Sequence, residues 1–220
     1  MSRLMHIGIV GGSAEGAALC YRTICSDGAR SLGGYTHPEV SMHTPSFEEY
    51  VVCLRHDDWD GVAKLMLTSA NKLAAIGAEF LICPDNTFHR AFPGVVHHSS
   101  LPWIHIADVV VDRAVGRGLK RVGILGTRWL VDGDVYPEKL AARNLEYLRP
   151  TITERVEIDR IILEELVYGE FKQRSTDYIL NVIQRMKMAN CDSVVLGCTE
   201  LPLIINDLNS GDERATSETV

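Results

Sequence analysis

Two short apolar runs constrain this chain more than any other feature. Phe80-Leu81-Ile82 opens onto Cys83-Pro84-Asp85-Asn86-Thr87-Phe88-His89, and Ser193-Val194-Val195-Leu196 opens onto Gly197-Cys198-Thr199-Glu200. Neither run alternates apolar with polar residues, so neither suits a strand with one wet face. Both suit strands covered on both faces, as in parallel α/β sheets. In such sheets ligands bind beyond the carboxyl ends of the strands, which is where these reactive clusters stand. Two strand ends of this type predict one site lined from both sides.

The pattern of the chain restarts halfway. Arg121-Val-Gly-Ile-Leu-Gly126-Thr127 repeats the character of His6-Ile-Gly-Ile-Val-Gly11-Gly12-Ser13: a buried strand with a glycine inside it and small residues at its end. Gly8 to Asp85 is about as far as Gly123 to Cys198, so the halves superpose in register. An internal duplication follows: two pseudo-symmetric α/β half-domains with mainly parallel sheets. The symmetry sets Asp85 opposite Cys198, with the active site in the cleft between the halves. The boundaries read as 1–117, 118–205 and a polar tail, 206–220, with the composition of a disordered segment. The last helix of the first half is free to pack on the other.

Within the first half, a helix is expected over 14–26, broken by Gly28 and the Gly33-Gly34 pair, then a strand over 39–44 and a helix over 47–54. Asp57-Asp58 caps a longer helix with Val62, Leu65, Met66, Leu73 and Ile76 as its apolar stripe. A further strand is expected over 101–106 and a helix over 109–117. In the second half, 155–166 reads as helical, and Ser175 as the cap of a helix with Ile179, Val182, Ile183 and Met186 facing inward.

A formal net charge of −7 argues against nucleic acid or an anionic membrane surface as a partner. No apolar run approaches the roughly 20 residues of a membrane span, and the amino terminus enters a strand pattern without a signal-type apolar region. The six cysteines, at 20, 25, 53, 83, 191 and 198, show no CxxC pair and no zinc spacing. A cytoplasmic protein with reduced thiols and no metal is the plain reading, with most of those cysteines acting as small buried hydrophobes.

Gly11-Gly12-Ser13-Ala14-Glu15-Gly16 is not the GxGxxG of a dinucleotide fold, and no acidic residue ends the next strand where that fold needs one. The turn suits a small anion such as a carboxylate, bound by its N–H groups and the Ser13 hydroxyl. Thr127 holds the matching place in the second half. Each is equally a plain helix cap. Cys198 reads either as an inert buried thiol or as a thiol activated at a strand end, and spacing leaves both open. Asp85 is more telling, because a carboxylate directly after a buried strand is costly unless it is hydrogen-bonded or used. Asn86 and Thr87 supply an amide and a hydroxyl beside it, with His89 and Glu200 as candidate supporting groups.

At these residues the chain resembles the aspartate/glutamate racemase family, also called the Asp/Glu/hydantoin racemase superfamily. The matching pieces are Gly11-Gly12-Ser13, Pro84-x-Asn86-Thr87-x-His89, Leu125-Gly126-Thr127-Arg128 and Leu196-Gly197-Cys198-Thr199-Glu200-Leu201-Pro202. They run from about Ile7 to about Ile205, and the last is the most specific. The resemblance implies a homodimeric amino acid racemase that needs no cofactor, neither metal nor pyridoxal. One base takes the Cα proton from one face, and a second acid returns a proton to the other. It also implies that Gly12, Ser13, Asn86, Thr87, Thr127, Thr199 and Glu200 contact the amino acid substrate, its carboxylate and amino group above all.

Three departures stand out. Family members typically carry cysteine at both strand ends, whereas here Cys198 faces Asp85, with Cys83 two residues earlier as the other candidate. An unperturbed carboxylate is a weaker base than a thiolate by roughly 4–5 pKa units, up to about 6 kcal/mol of driving force, so the two bases are unequal. Aspartate-specific relatives carry a lysine in a Lys-x-Gly sequence where this chain has Leu166-Val167-Tyr168-Gly169. Relatives also continue with another strand and helix where this chain has 207–220. Two alternatives stay beside the racemase: a lyase or decarboxylase that protonates one face from a single cysteine, and a non-catalytic small-molecule binder.

Overall fold

A computed structural model of the chain describes residues 3–206. The tail read as disordered therefore lies, from residue 207 on, outside the described residues. The chain divides into two compact units, Met1–Ile106 and Ala107–Val220.

The first unit runs β1 (Ile7–Val10), α1 (Ala14–Leu32), β2 (Val40–His43), α2 (Phe47–Arg55), α3 (Trp59–Ala75), β3 (Phe80–Ile82), α4 (Phe92–Val96) and β4 (Trp103–Ile104). Its four strands are parallel, in the order β2-β1-β3-β4. Ile9 and Val10 on β1, Tyr50 and Leu54 on α2, and Val62, Met66 and Leu73 on α3 are buried. Asp58 caps α3 by accepting the Gly61 N–H at 2.8 Å, as its position predicts.

The second unit runs α5 (Ile106–Gly116), β5 (Arg121–Leu125), α6 (Arg128–Val131), α7 (Pro137–Ala142), β6 (Glu146–Leu148), α8 (Ile152–Glu164), α9 (Gln173–Met188) and β7 (Ser193–Leu196). Its strands, in the order β6-β5-β7, are also parallel. Val122, Ile124 and Val195 pack with Ala107, Val110 and Val111 of α5 and with Leu140 of α7. Leu125, Val194 and Leu196 pack with Ile158 and Ile161 of α8 and with Ile179, Val182 and Met186 of α9. Successive side chains of a strand point to opposite faces, and here each face meets a different apolar layer. That is why these runs show no polar alternation.

The two units repeat one topology. A central strand (β1 or β5) is flanked by the strand that follows it (β2 or β6) and by the next but one (β3 or β7), as the duplicated pattern predicts. The division falls within the first turn of α5, after Ile106, and that helix packs into the core of the second unit; the sequence places the boundary at 117–118, with this helix free to pack on the other half.

Four local expectations change. Helix α1 passes through Gly28 and ends at Gly33, whose φ is +87°. A Cβ on Gly28 would lie 2.8 Å from the His37 Cβ, so this glycine admits the returning chain instead of breaking the helix. Strand β4 is two residues long, and α5 starts at Ile106 instead of 109. Helix α8 starts at Ile152, three residues before expectation, because Thr151 and Glu154 form a reciprocal capping box.

The fourth concerns Ser175, which caps nothing. It sits inside α9, and its buried hydroxyl donates to Glu165 Oε2 at 2.6 Å. Glu165, itself buried, also accepts from Arg160 at 2.8 Å and lies 3.6 Å from Lys172 Nζ. The Ser175 hydroxyl, and after it Arg160 and Lys172, hold the Glu165 carboxyl below its ordinary value against the opposing effect of desolvation. A depressed carboxyl contributes stability that is present above its unfolded pKa and lost as pH falls through the folded one. Ser175→Ala should therefore cost about 1.5–3 kcal/mol at neutral pH. In urea unfolding followed against pH, the gap from the native chain should close on acidification below the carboxylate range.

Candidate active site

In the first unit, the register of Ile7 with Phe80 and Ile9 with Ile82 sets the carboxyl ends of β1 and β3 side by side. The turn after β1 has no room for side chains. A Cβ on Gly11 would stand 2.6 Å from Thr44 Cγ2, and one on Gly12 would stand 2.6 Å from the Phe88 ring and 2.9 Å from Asp85 Oδ2. Glycine at 12 thus lets the Asp85 carboxylate lie against the turn. Ser13 takes the helix-cap role that its position allows, accepting the Gly16 N–H at 3.2 Å.

Asp85 is half-buried, and its Oδ1 accepts the Thr87 N–H at 3.1 Å, an Asx turn that orients the carboxylate. Asn86 and Thr87 are buried beside it. Cys83, past the end of β3, is 3% exposed. Its thiol lies 3.7 Å from the Asp85 carbonyl oxygen, and its own carbonyl accepts from His89 Nε2 at 3.0 Å. Burial, and then the Asp85 charge, push the Cys83 thiol well up. Burial likewise pushes Cys20 up to about 11. The base candidates Cys83 and Asp85 are thus separated by environment, one sealed and protonated, the other partly open.

In the second unit, Gly126 and Gly197 let β5 and β7 end in close contact. The Gly197 N–H donates to the Leu125 carbonyl at 2.7 Å, and a Cβ on Gly126 would lie 3.2 Å from Gly197 O. The residues that follow, Thr127 and Cys198, are thereby brought to one edge of the sheet. Thr127 is buried at the cap position of α6, but its side chain does not cap that helix. Cys198 is half-buried, and its thiol donates to Glu200 Oε2 at 2.8 Å. The buried Thr199 hydroxyl donates to the same oxygen at 3.1 Å.

Three participants escaped the sequence reading. Tyr50 stacks on Phe88 with centroids 4.0 Å apart, and burial, then Cys83 and Asp85, push its phenol up. Phe88 packs against the glycine turn. Asp159, pushed up by burial, accepts the Arg128 N–H at 2.8 Å beside Thr127. Tyr50 and Asp159 sit mid-helix, and no spacing in the sequence ties them to a strand end. Among the described residues, no cluster of three His, Cys, Asp or Glu side chains could hold a metal ion, and no helix is long and apolar enough to cross a membrane.

A family model described as Asp/Glu/hydantoin racemase matches residues 12–211. The chain is 21% identical over 184 residues to the broad specificity amino-acid racemase of Bacillus subtilis, covering 83% of this chain and 77% of that protein. It is 24% identical over 131 residues to the glutamate racemase of a Hydrogenobaculum species, covering 59% of this chain and about half, 49%, of that relative. A candidate Asp/Glu racemase from Yersinia pestis superposes with a TM-score of 0.86 at 28% identity, covering 98% of this chain and 94% of that one. An aspartate racemase homologue from Pyrococcus horikoshii superposes at 0.78 with 30% identity, covering 100% and 94%.

The glycine geometry predicts opposite outcomes at two positions. Gly12→Ala must displace the Asp85 carboxylate or the Phe88 ring and should cost about 1–3 kcal/mol in urea unfolding. Gly116→Ala, where a Cβ would meet nothing within 4 Å, should leave stability unchanged or raise it by up to about 1 kcal/mol.

Proposed function

The chain belongs to the Asp/Glu/hydantoin racemase family, and from that premise we propose that it is an amino acid racemase that needs no cofactor and uses Asp85 and Cys198 as its two acid/base groups. One observation carries the reading. Strands β3 and β7 hold the same place in their two sheets, and a half-buried acid/base side chain follows each of them within three residues, Asp85 after Ile82 and Cys198 after Leu196.

In one direction the Asp85 carboxylate takes the Cα proton. The electron pair of the broken C–H bond delocalises into the substrate carboxylate, and the Cys198 thiol gives its proton to the opposite face, leaving a thiolate. The other direction reverses each step. Backbone N–H groups at Gly12 and the side chains of Asn86, Thr87, Thr127 and Thr199 would hold the substrate's carboxylate and amino group. Ser13 would contribute chiefly by fixing the turn, since its hydroxyl oxygen caps α1.

Burial supports Asp85 over Cys83 as the first base, because a sealed thiol pushed well up in pKa supplies almost no thiolate. The turn Leu166–Tyr168 carries an exposed Tyr168 and no lysine, and the next lysine, Lys172, is paired with Glu170 at 2.8 Å. Both facts support a substrate other than aspartate. A second reading, a lyase or decarboxylase that protonates one face, is favoured by the same burial of Cys83, which leaves Cys198 as the thiol open to a substrate at these strand ends.

The test is a panel of L- and D-amino acids incubated in deuterium oxide. The racemase should invert at least one of them and place deuterium at its Cα. Cys198→Ser and Asp85→Asn should each lower kcat by about 100- to 10,000-fold. Loss of carbon dioxide from a malonate-type acid, with no exchange into any amino acid, would replace the racemase by the lyase.

A further inference from the structure

We propose that Glu200 is the proton-holding partner of Cys198: its carboxylate accepts the thiol hydrogen bond, keeps Cys198 in its protonated form until Cα takes the proton, and makes the thiolate then left a stronger base. The sequence assigns Glu200 to substrate contact. The geometry gives it a different task.

The chain turns directly after β7, where the Leu201 N–H donates to the Cys198 carbonyl at 3.1 Å. That turn folds the Glu200 side chain back onto the residue two places before it. Oε2 then accepts the Cys198 thiol at 2.8 Å and the Thr199 hydroxyl at 3.1 Å. Glu200 is only 3% exposed, and its Oε1 is buried with no hydrogen-bond partner among the described residues. The carboxylate therefore depends on the donors at Oε2, and the thiol proton is one of them.

Loss of that proton to solvent would set a thiolate against a buried carboxylate, an arrangement that like-charge pairs resist by keeping a proton. When the thiol gives that proton to Cα, the S–H bond breaks, a C–H bond forms and a thiolate is left against the carboxylate. The repulsion between them makes the thiolate a stronger base when the reverse step takes the Cα proton back. Charged groups on the elements that pack around β7 include Arg128 on α6 and Asp132 just after it, Asp159 on α8 and Glu165 just after it, and Lys172 and Arg174 around the start of α9. Glu200 is in contact with the sulfur itself. Because it acts through Cys198, it is a positioning residue.

Only the kinetic arm of the test rests on the racemase reading. Titration of Cys198 is followed in the full chain by the ultraviolet absorbance of its thiolate and by mass spectrometry of its alkylation with iodoacetamide, with Cys198→Ser as the blank. Glu200→Gln, which exchanges the carboxylate for a neutral amide of the same shape, should lower the titration midpoint by about one pH unit or more and speed alkylation near neutrality about tenfold. Glu200→Asp, which draws the charge back by one methylene, should shift it in the same direction by less, and it decides the matter if the glutamine variant does not fold.

With a substrate in hand, Glu200→Gln should lower kcat about 100-fold while KM moves less than about threefold. A more reactive thiol in a slower enzyme is an outcome that general loosening of the fold would not give. An unmoved midpoint, or a raised KM at unchanged kcat, would overturn the proposal and return Glu200 to the substrate. If no amino acid is turned over by the native chain, the racemase reading fails, and the titration still decides the role of Glu200.

Discussion

A central parallel strand is hydrogen-bonded along both edges and covered on both faces, and everything else in this molecule follows from that. Ile9 and Val10 on β1, and Val122, Ile124 and Leu125 on β5, are all buried, with partners in register on either side. No polar side chain can be placed along such a strand without a large desolvation cost. The first positions where charge is tolerated come where pairing stops, and both units place their reactive groups there. The glycines at 12, 126 and 197 serve the same constraint from the backbone side. They let neighbouring backbone and side chains come closer than a Cβ would allow.

Much of this was legible because burial on two faces leaves a mark that burial on one does not. The unbroken runs 80–82 and 193–196, the restart at Arg121 and the inward stripe of α9 all follow from local apolar order. What escaped depended on partners distant in sequence. Gly28 looks like a helix breaker until His37 is seen to need its missing side chain. Ser175 looks like a cap until Glu165, ten residues earlier, accepts the hydrogen bond of its hydroxyl. Helix α8 is the exception, since its Thr151 to Glu154 capping box is a pattern local to the sequence. Cys83 and Asp85 could not be separated from spacing alone. Burial sets them apart, Cys83 sealed and Asp85 half-buried.

The two candidate bases are unequal by surroundings as well as by chemistry. Asp85 is steadied by a backbone N–H, a donor that favours its charged form. Cys198 faces a carboxylate, an acceptor that favours the protonated thiol. These settings suit the roles proposed for them, Asp85 receiving a proton and Cys198 giving one. On that proposal, a weaker base at one strand end is matched by a thiol that keeps its proton at the other.

The Cys198 to Glu200 contact also bears on how the chain survives oxidants. Peroxide attacks thiolates, and the path from sulfenic to sulfinic acid starts with that attack. A half-buried thiol with its proton held against a carboxylate offers little thiolate at rest. On the proposed mechanism, the side chain that reacts with a Cα proton is thus kept dull toward electrophilic oxygen. The same hydrogen bond that would ready Cys198 to give a proton also guards its sulfur.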